Sequence, residues 1–235
     1  MPKKTLLSWS SGKDCAWALH VLRQNPDIDV AGLFCTVNQA FSRVAMHGVR
    51  TELLQQQARH AGLPLRIIEI PYPCSNEMYA EAMRAFVDTA KADGVAQFAF
   101  GDIFLEDVRR YREERLAGSG IAPVFPLWGH ATRELSKTMI AAGLKATITC
   151  LNPKHVPKTF AGRDYSAAFV DQLPAGVDPC GENGEFHTFA FDGPMFTAPV
   201  AMTVGETVER DGFVFTDLLP QPGTLKGHVR TDGVQ

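Results

Sequence analysis

The chain has 235 residues, of which 45% are hydrophobic and 21% are charged, values typical of a soluble globular protein. Its formal net charge of −3 argues against a nucleic-acid partner, and its apolar runs are too short to cross a membrane. Its five cysteines include no C-x-x-C pair, which argues against a structural zinc site or a disulfide framework.

The N-terminus predicts a cytoplasmic protein. Two lysines precede the first apolar run, but Ser8, Ser10 and Ser11 interrupt that run. A secretory signal needs a continuous apolar stretch, so none is expected here.

Short apolar runs alternate with helical patterns over the first two-thirds of the chain. The runs are rich in β-branched and aromatic residues and are continuous, which is typical of strands buried on both faces. Strands are predicted at residues 5–9, 30–37, 65–70, 96–103, 123–128 and 145–151. Helices are predicted near residues 14–24, 51–61, 76–92, 106–117 and 132–142. This order predicts an α/β fold with an open, mostly parallel sheet and helices on both faces.

The sequence changes character after about residue 152. Prolines interrupt the chain there, a helix is predicted near 162–173, and a glycine- and acid-rich loop leads into short strands. Asp211-Gly212 between two apolar segments predicts a hairpin turn. We therefore expect two domains, residues 1–152 and a smaller α+β portion at 153–235.

The sequence SSGKDC, beginning at Ser10, lies between the first strand and the first helix. Ligands of open α/β sheets bind at the carboxyl ends of strands, and a helix N-terminus favours an anion. Gly12 lets the backbone approach closely, Ser10 and Ser11 can donate hydrogen bonds, and Lys13 carries a positive charge. Asp14 starts the helix and can also hold Mg²⁺. The segment predicts a phosphate site, and the simpler alternative is a polar turn.

This segment resembles the S-G-G-K-D-S loop of the pyrophosphatase-loop ATPases, in the adenine nucleotide α-hydrolase superfamily. Ser11 stands where that loop has its first glycine, and Cys15 stands where it has its final serine. The resemblance implies that residues 10–15, including Cys15, bind the phosphates of ATP. It also implies the fold of that superfamily.

A second motif lies at Cys180–Phe196, which reads CGENGEFHTFAFDGPMF. It resembles the G-E-N-G-E-[YF]-E-T…D-G-P-[LM]-F signature of the diphthine–ammonia ligase family. Further matches occur in order at Phe100–Ile103 and Pro126–Gly129, with a histidine, His47, after the second strand. The resemblance runs from residue 5 to about residue 200. His187 replaces the glutamate common at its position, which indicates a divergent, bacterial-type branch.

The family resemblance implies an ATP-dependent ligase that forms an amide. A substrate carboxylate is adenylated with release of pyrophosphate, and ammonia then displaces AMP. The cofactors implied are ATP and Mg²⁺, and the partners are ammonia and a carboxylate, either a small molecule or one carried on a protein. A homo-oligomer is left open.

The catalytic candidates are Lys13, Glu182, Asn183 and Glu185. Lys13 is expected to stabilise the charge on the leaving pyrophosphate. Glu182 or Glu185 can bind ammonium, accept its proton or pair with a cationic substrate, and the Asn183 amide can orient the substrate carboxylate. His187 can serve as a base. The alternative for each is a solvated residue of a polar loop.

The remaining nucleotide-binding candidates lie at the ends of two strands. Gly101 and Asp102 end the fourth strand, where Gly101 can admit the nucleotide and Asp102 can reach Mg²⁺ or a ribose hydroxyl. The alternative is a turn glycine and a helix cap. Cys35 and Thr36 end the second strand, where the resemblance implies that backbone groups read the adenine. Arg109, in a charge-dense helix, also resembles a family position.

Two other functions remain open. Ser11 and Cys15 depart from the ATPase loop, so a nucleotide sensor without catalysis is one alternative. An RNA-modifying enzyme of the pyrophosphatase-loop class is the other, although the acidic balance and the missing C-x-x-C pairs disfavour it.

Overall fold

Two β-sheets organise the molecule. The structure, a computed structural model, describes residues 1–40, 43–44 and 48–221. His47, one of the residues in the family resemblance, lies outside the described residues. The described residues contain no helix that is long and apolar enough to cross a bilayer.

The first sheet is mostly parallel, as predicted. Its strands are β1 (Lys3–Ser8), β2 (Ile28–Asn38), β3 (Arg43–Val44), β4 (Leu65–Ile70), β5 (Gln97–Ala99) and β6 (Ala122–Val124). β1 pairs parallel with both β2 and β5, β2 pairs parallel with β4, and β5 pairs parallel with β6. β3 pairs antiparallel with the end of β2. The chain goes from β1 to β2 on one side and reaches β5 on the other, so the carboxyl end of β1 is a topological switch point.

Helices cover both faces of this sheet, which confirms the predicted α/β architecture. They are α1 (Lys13–Arg23), α2 (Thr51–His60), α3 (Asn76–Ala92) and α4 (Glu106–Leu116); α5 (Thr132–Ala141) and the short α6 (Ala167–Asp171) follow, and Phe169 of α6 packs against Phe186 of the second sheet. Successive residues of β1 point to opposite faces. Leu6 belongs to an apolar cluster with residues of α3 and α4, whereas Leu7 belongs to one with residues of α1 and α2.

The second sheet is antiparallel and supplies the predicted C-terminal α+β portion. Its strands are β7 (Lys145–Leu151), β8 (Phe186–Asp192), β9 (Met202–Arg210) and β10 (Phe213–Pro220), in the order β8-β7-β10-β9. The predicted hairpin turn joins β9 to β10, with positive φ angles of 53° at Asp211 and 82° at Gly212. β7 ends the predicted strand–helix alternation, yet it pairs antiparallel with β8 and β10. A continuous apolar run indicates burial on both faces but does not select a sheet.

Three predicted elements are shorter in the structure, each for a local reason. The fourth strand stops at Ala99, because the chain at Gly101 packs against the start of α1. β6 stops at Val124, since a turn occupies residues 126–129. α6 begins only after Ser166, whose hydroxyl accepts a hydrogen bond from the Phe169 backbone N–H at 3.2 Å.

Ser11 gives the β1–α1 loop its shape. Its φ angle is +72°, in the left-handed region where a side chain with a Cβ is strained. Its carbonyl accepts hydrogen bonds of 2.9 Å from the Ala190 backbone N–H and from Gln57 Nε2. The Ser11 hydroxyl is buried and has no hydrogen-bond partner among the described residues. This conformation explains why the resembled ATPase loop has glycine at this position.

Replacing Ser11 by glycine should therefore stabilise the protein. The change removes both the backbone strain and the unpaired hydroxyl, so we expect the free energy of unfolding to rise by about 1–2 kcal/mol. Urea denaturation measures this. Asp211→Gly is the matched control, because Asp211 has positive φ but is exposed, and it should gain less. A lower stability of S11G than of the wild type would contradict this account of the loop.

Candidate functional site

A cavity of about 260 Å³ lies at the switch point, where the β1–α1 loop meets the segment that leads into β8. Most of the predicted site residues line it. They are Ser10, Gly12, Lys13, Asp14, Cys15, Gly101, Asp102 and Glu182. The two sequence motifs, about 170 residues apart in the chain, therefore form one site. Ser11, Asn183 and Glu185 are absent from its lining.

Lys13 is the buried cation of this cavity, with 2% of its surface exposed. Its ammonium group donates to Asp14 Oδ2 at 2.9 Å and to the Cys180 carbonyl. It also lies 5.4 Å from the ring centroid of Tyr165 and 5.5 Å from that of Phe186. Burial is the largest effect and opposes the charged form, but the Asp14 carboxylate, together with the effects of Cys180 and Tyr165, outweighs it and raises the pKa of Lys13. Lys13 therefore stays charged and binds the two motifs together.

Asp14 has one carboxylate oxygen in use and one available to a ligand. Oδ2 pairs with Lys13, whereas the buried Oδ1 has no hydrogen-bond partner among the described residues. Burial raises the pKa of Asp14, and Lys13 opposes that effect. The described residues contain no group of three or more side chains suited to hold a metal. Asp14 Oδ1 fits Mg²⁺ that is held mainly by nucleotide phosphates and water.

Glu182 is the carboxylate that the second motif brings to the cavity. Its Oε1 accepts a hydrogen bond of 2.7 Å from the Ile103 backbone N–H. Burial raises the pKa of Glu182 to about 7, and the nearby charges of Asp14 and Asp102 act in the same direction. A carboxylate that titrates near neutral pH is suited to accept and return a proton.

Glu185 lies inside its own loop and away from the cavity. Its carboxylate accepts hydrogen bonds of 3.0 Å from the backbone N–H groups of Asp178 and Asn183, and one of 3.1 Å from Asn183 Nδ2. The structure therefore does not bring Asn183 and Glu185 to the predicted reaction centre. Their contacts close the turn that positions Glu182.

His187 and Thr188, at the start of β8, complete this wall of the cavity. The Thr188 hydroxyl accepts a hydrogen bond of 3.0 Å from the Lys13 backbone N–H. Burial, aided by the charge of Lys13, lowers the pKa of His187 to about 4. The imidazole is consequently neutral at physiological pH.

A second cavity of about 310 Å³ adjoins the first and shares Ser8, Ser10, Phe100 and Arg112 with it. Cys35 and Thr36, the predicted adenine-binding residues, line this second cavity. Its other lining residues are mostly apolar. They are Trp9, Phe34, Val44, Ile70, Tyr79 and Met83. An apolar cavity next to a polar one that holds Lys13 and the N-terminus of α1 suits a purine joined to phosphates.

Cys15 occupies the position of a serine in the resembled loop. Its thiol donates to the Gly12 carbonyl at 3.1 Å and lies 3.5 Å from Ser10 Oγ. Burial raises the pKa of Cys15 to about 11, so the thiol is protonated at neutral pH. It takes part in the hydrogen bonding that shapes the loop.

Gly101 has a packing role that its residue type alone did not specify. A Cβ at Gly101 would lie 3.1 Å from Asp14 C and from Cys15 N, a tight contact that the start of α1 could relieve only by shifting a few tenths of an ångström. Asp102, next to it, accepts a hydrogen bond of 3.0 Å from Arg112 Nη2 and a second from Arg112 Nε. This pairing fixes the Asp102 carboxylate at the cavity wall.

Sequence reasoning missed Arg112. Its helix is charge-dense, and neither spacing nor composition separates Arg112 from its neighbours. In the structure Arg112 lines both cavities, and its guanidinium lies 4.4 Å from the Phe100 ring centroid. Arg109, the arginine that the resemblance favoured, instead lies over Trp128 at 4.7 Å and pairs with Glu113.

Gln57 is a second residue that sequence reasoning missed. It is fully buried, and its Oε1 accepts a hydrogen bond of 2.9 Å from Trp9 Nε1. Its Nε2 donates to the Ser11 carbonyl at 2.9 Å and to the Ala190 carbonyl at 2.6 Å. One amide thus joins Trp9 at the end of β1, the β1–α1 loop and β8. A polar residue on an amphipathic helix gives no sequence signal of such a role.

Comparisons with known proteins match almost the whole chain to one family. Residues 3–121 match the family described as diphthamide synthase N-terminal domain, and residues 131–215 match the diphthamide synthase C-terminal domain. A Danio rerio protein named diphthine–ammonia ligase is 33% identical over 125 residues, which is 49% of this chain and 46% of that protein. A Mus musculus protein of the same name is 28% identical over 142 residues, 57% of this chain and 51% of that protein. The chain spans about half the length of the curated relatives it matches.

Replacing Lys13 by alanine should reduce stability as well as ligand binding. The change leaves the Asp14 carboxylate without its partner, so we expect the free energy of unfolding to fall by about 3 kcal/mol. Adding Asp14→Asn removes the unpaired charge and should restore part of the loss. Urea denaturation measures both variants, with the exposed Lys154→Ala as control. Equal stabilities of K13A and K154A would contradict the buried ion pair.

Replacing Glu182 by glutamine should change how stability depends on pH. The unfolded carboxyl titrates at its ordinary value of 4.5 and the folded one at about 7. The wild type therefore loses stability as the pH rises from 4.5 through 7, and E182Q does not. We expect E182Q to gain about 1–3 kcal/mol relative to the wild type between pH 5 and pH 8. Urea midpoints of both proteins at pH 5 and pH 8 test this. If the stability difference between E182Q and the wild type is the same at both pH values, the pKa of Glu182 is unshifted.

Proposed function

This chain belongs to the diphthamide synthase family, and from that membership we propose that it is an ATP-dependent ligase that converts a carboxylate into an amide. ATP and the carboxylate are substrates, ammonia is the nucleophile, and AMP and pyrophosphate are products. One observation carries the proposal. The β1–α1 loop and the second motif line a single cavity that holds the buried cation Lys13 and the titratable carboxylate of Glu182.

The two adjoining cavities support a placement in which the purine and the phosphates of ATP bind in separate cavities. The apolar cavity at Cys35 and Thr36 takes the purine, and the cavity at Lys13 takes the phosphates. The N-terminus of α1 begins at Lys13 and adds its partial positive charge. Asp14 Oδ1 would hold Mg²⁺ together with the phosphates, and the ion would supply further positive charge for the departing pyrophosphate.

The first step forms a bond between a carboxylate oxygen and the α-phosphorus of ATP and breaks the bond to pyrophosphate. Lys13 is placed to stabilise the negative charge that grows on the leaving group. The second step forms a bond between the ammonia nitrogen and the acyl carbon, and AMP leaves with its oxygen. Glu182 accepts the proton that the nitrogen loses. Lys13 and Glu182 are the catalytic residues in this proposal.

Asn183 and Glu185 act at one remove from the reaction. Their hydrogen bonds close the turn that carries Glu182, so they are positioning residues. His187, neutral at physiological pH, leaves Glu182 as the group that can exchange a proton near pH 7.

Product analysis tests the proposal. The protein is mixed with Mg²⁺-ATP, ammonium and pooled carboxylate metabolites, and nucleotides and phosphates are quantified. We expect AMP and pyrophosphate, and we expect E182Q to reduce their formation by about 10²- to 10⁴-fold. Glu206→Gln, at an exposed position on β9, is the matched control and should leave the rate unchanged.

Two outcomes would contradict the AMP-forming ligase. ADP and phosphate would indicate transfer at the γ-phosphorus rather than adenylation. Binding of ATP without turnover in any metabolite fraction would favour the nucleotide sensor.

A further inference from the structure

A third and larger cavity lies beside the two cavities of the candidate site. It is a groove of about 590 Å³ between α3 and α4, on the face of the parallel sheet opposite α1. A cavity of this size falls in the range that holds small organic ligands. Its apolar lining includes Tyr79, Ala80, Met83, Val87, Phe98 and Leu116.

The groove meets the candidate site at four residues, because Tyr79 and Met83 also line the cavity at Cys35 and Thr36. Phe100 and Arg112 line the groove, the cavity at Lys13 (the phosphate cavity) and the cavity at Cys35 and Thr36 (the purine cavity). The three spaces therefore converge at the Arg112 guanidinium. A molecule that lies in the groove has one end beside the place where the nucleotide phosphates are proposed to bind.

Arg112 is held in position at this point of convergence. Its Nε and Nη2 donate to Asp102, and the face of its guanidinium lies against Phe100. The outer edge of the guanidinium, formed by Nη1 and the second N–H of Nη2, remains for a ligand. A guanidinium in such a setting is suited to bind a carboxylate, because it presents donors in a fixed plane.

The chemistry of the groove walls indicates what the rest of the ligand is like. The floor is apolar, so it favours an apolar body over a charged one. The charged side chains that line the groove are exposed and have both signs, so they select no net charge. They are Glu77, Arg84, Asp88, Glu114 and Arg115.

We propose that this groove is the acceptor site, and that it binds a small carboxylic acid with an elongated apolar body. The apolar body lies between α3 and α4, and Arg112 orients the carboxylate toward the phosphate cavity. The inference rests on the proposed ligase function, since it names the class of carboxylate that such a ligase uses. Arg112 touches this substrate and is therefore a binding residue of the reaction.

Calorimetric titration with octanoate, acetate and octan-1-ol tests the proposal. We expect octanoate to bind at least about tenfold more tightly than acetate, because each buried methylene contributes. Ala80→Trp fills the groove at a residue that lines neither other cavity, and it should weaken octanoate binding at least about tenfold. Ala85→Trp is the matched control, the same change at an exposed position of α3, and it should leave binding unchanged.

Arg112→Gln tests the polar end of the site. It should abolish the preference for octanoate over octan-1-ol while leaving the affinity for octan-1-ol unchanged. Far-ultraviolet circular dichroism and urea midpoints check that each variant folds. If R112Q does not fold, the A80W titration alone decides whether octanoate binds in the groove.

Binding of octanoate that A80W and A85W affect equally would overturn the proposal, as would the absence of octanoate binding. Titration with Mg²⁺-ATP is run in parallel on all proteins. Failure of the wild type to bind Mg²⁺-ATP would contradict the ligase itself, and the octanoate titrations would still decide whether the groove is a carboxylate site.

Discussion

The attachment of β8 to the β1–α1 loop is the constraint on which the candidate site depends. The Ala190 backbone N–H donates to the Ser11 carbonyl, and the Lys13 backbone N–H donates to the Thr188 hydroxyl. The buried Gln57 amide joins the same two segments from below. Without this attachment the loop at the end of β1 would face solvent. With it, the edge of the second sheet forms the opposite wall of a cavity at the switch point of the first.

Burial sets the charge pattern inside that cavity. The same loss of water raises the pKa of Glu182 to about 7 and lowers the pKa of His187 to about 4, so that at physiological pH His187 is neutral and Glu182 is partly ionised. Lys13 stays charged because Asp14 lies beside it. The cavity therefore keeps a fixed cation next to a group that can exchange a proton. Groups whose pKa values differ in this way can take different roles in one reaction.

Much of the fold was predictable from the sequence because strand and helix patterns are local. The parallel strands, the helices and the hairpin at Asp211 were all recognisable from periodicity and turn residues. The partner of β7 was not, because an apolar run specifies burial rather than a neighbour. The two motifs predicted the candidate site through their family resemblance, and the fold brings most of their residues to one cavity. Arg112 and Gln57 escaped notice because their roles arise only from what the folded chain brings near them.

The two halves of the cavity lie far apart in the sequence, and this separation determines when the cavity can form during synthesis of the chain. Residues 10–15 are synthesised first, yet the wall that encloses them includes Thr188 and Ala190. A ribosome must therefore complete most of the polypeptide before the proposed nucleotide cavity can be enclosed. Contacts between such distant residues slow folding, since a long loop must close before they form. A nucleotide that binds only the finished cavity would then act as a late stabiliser of the newly made protein.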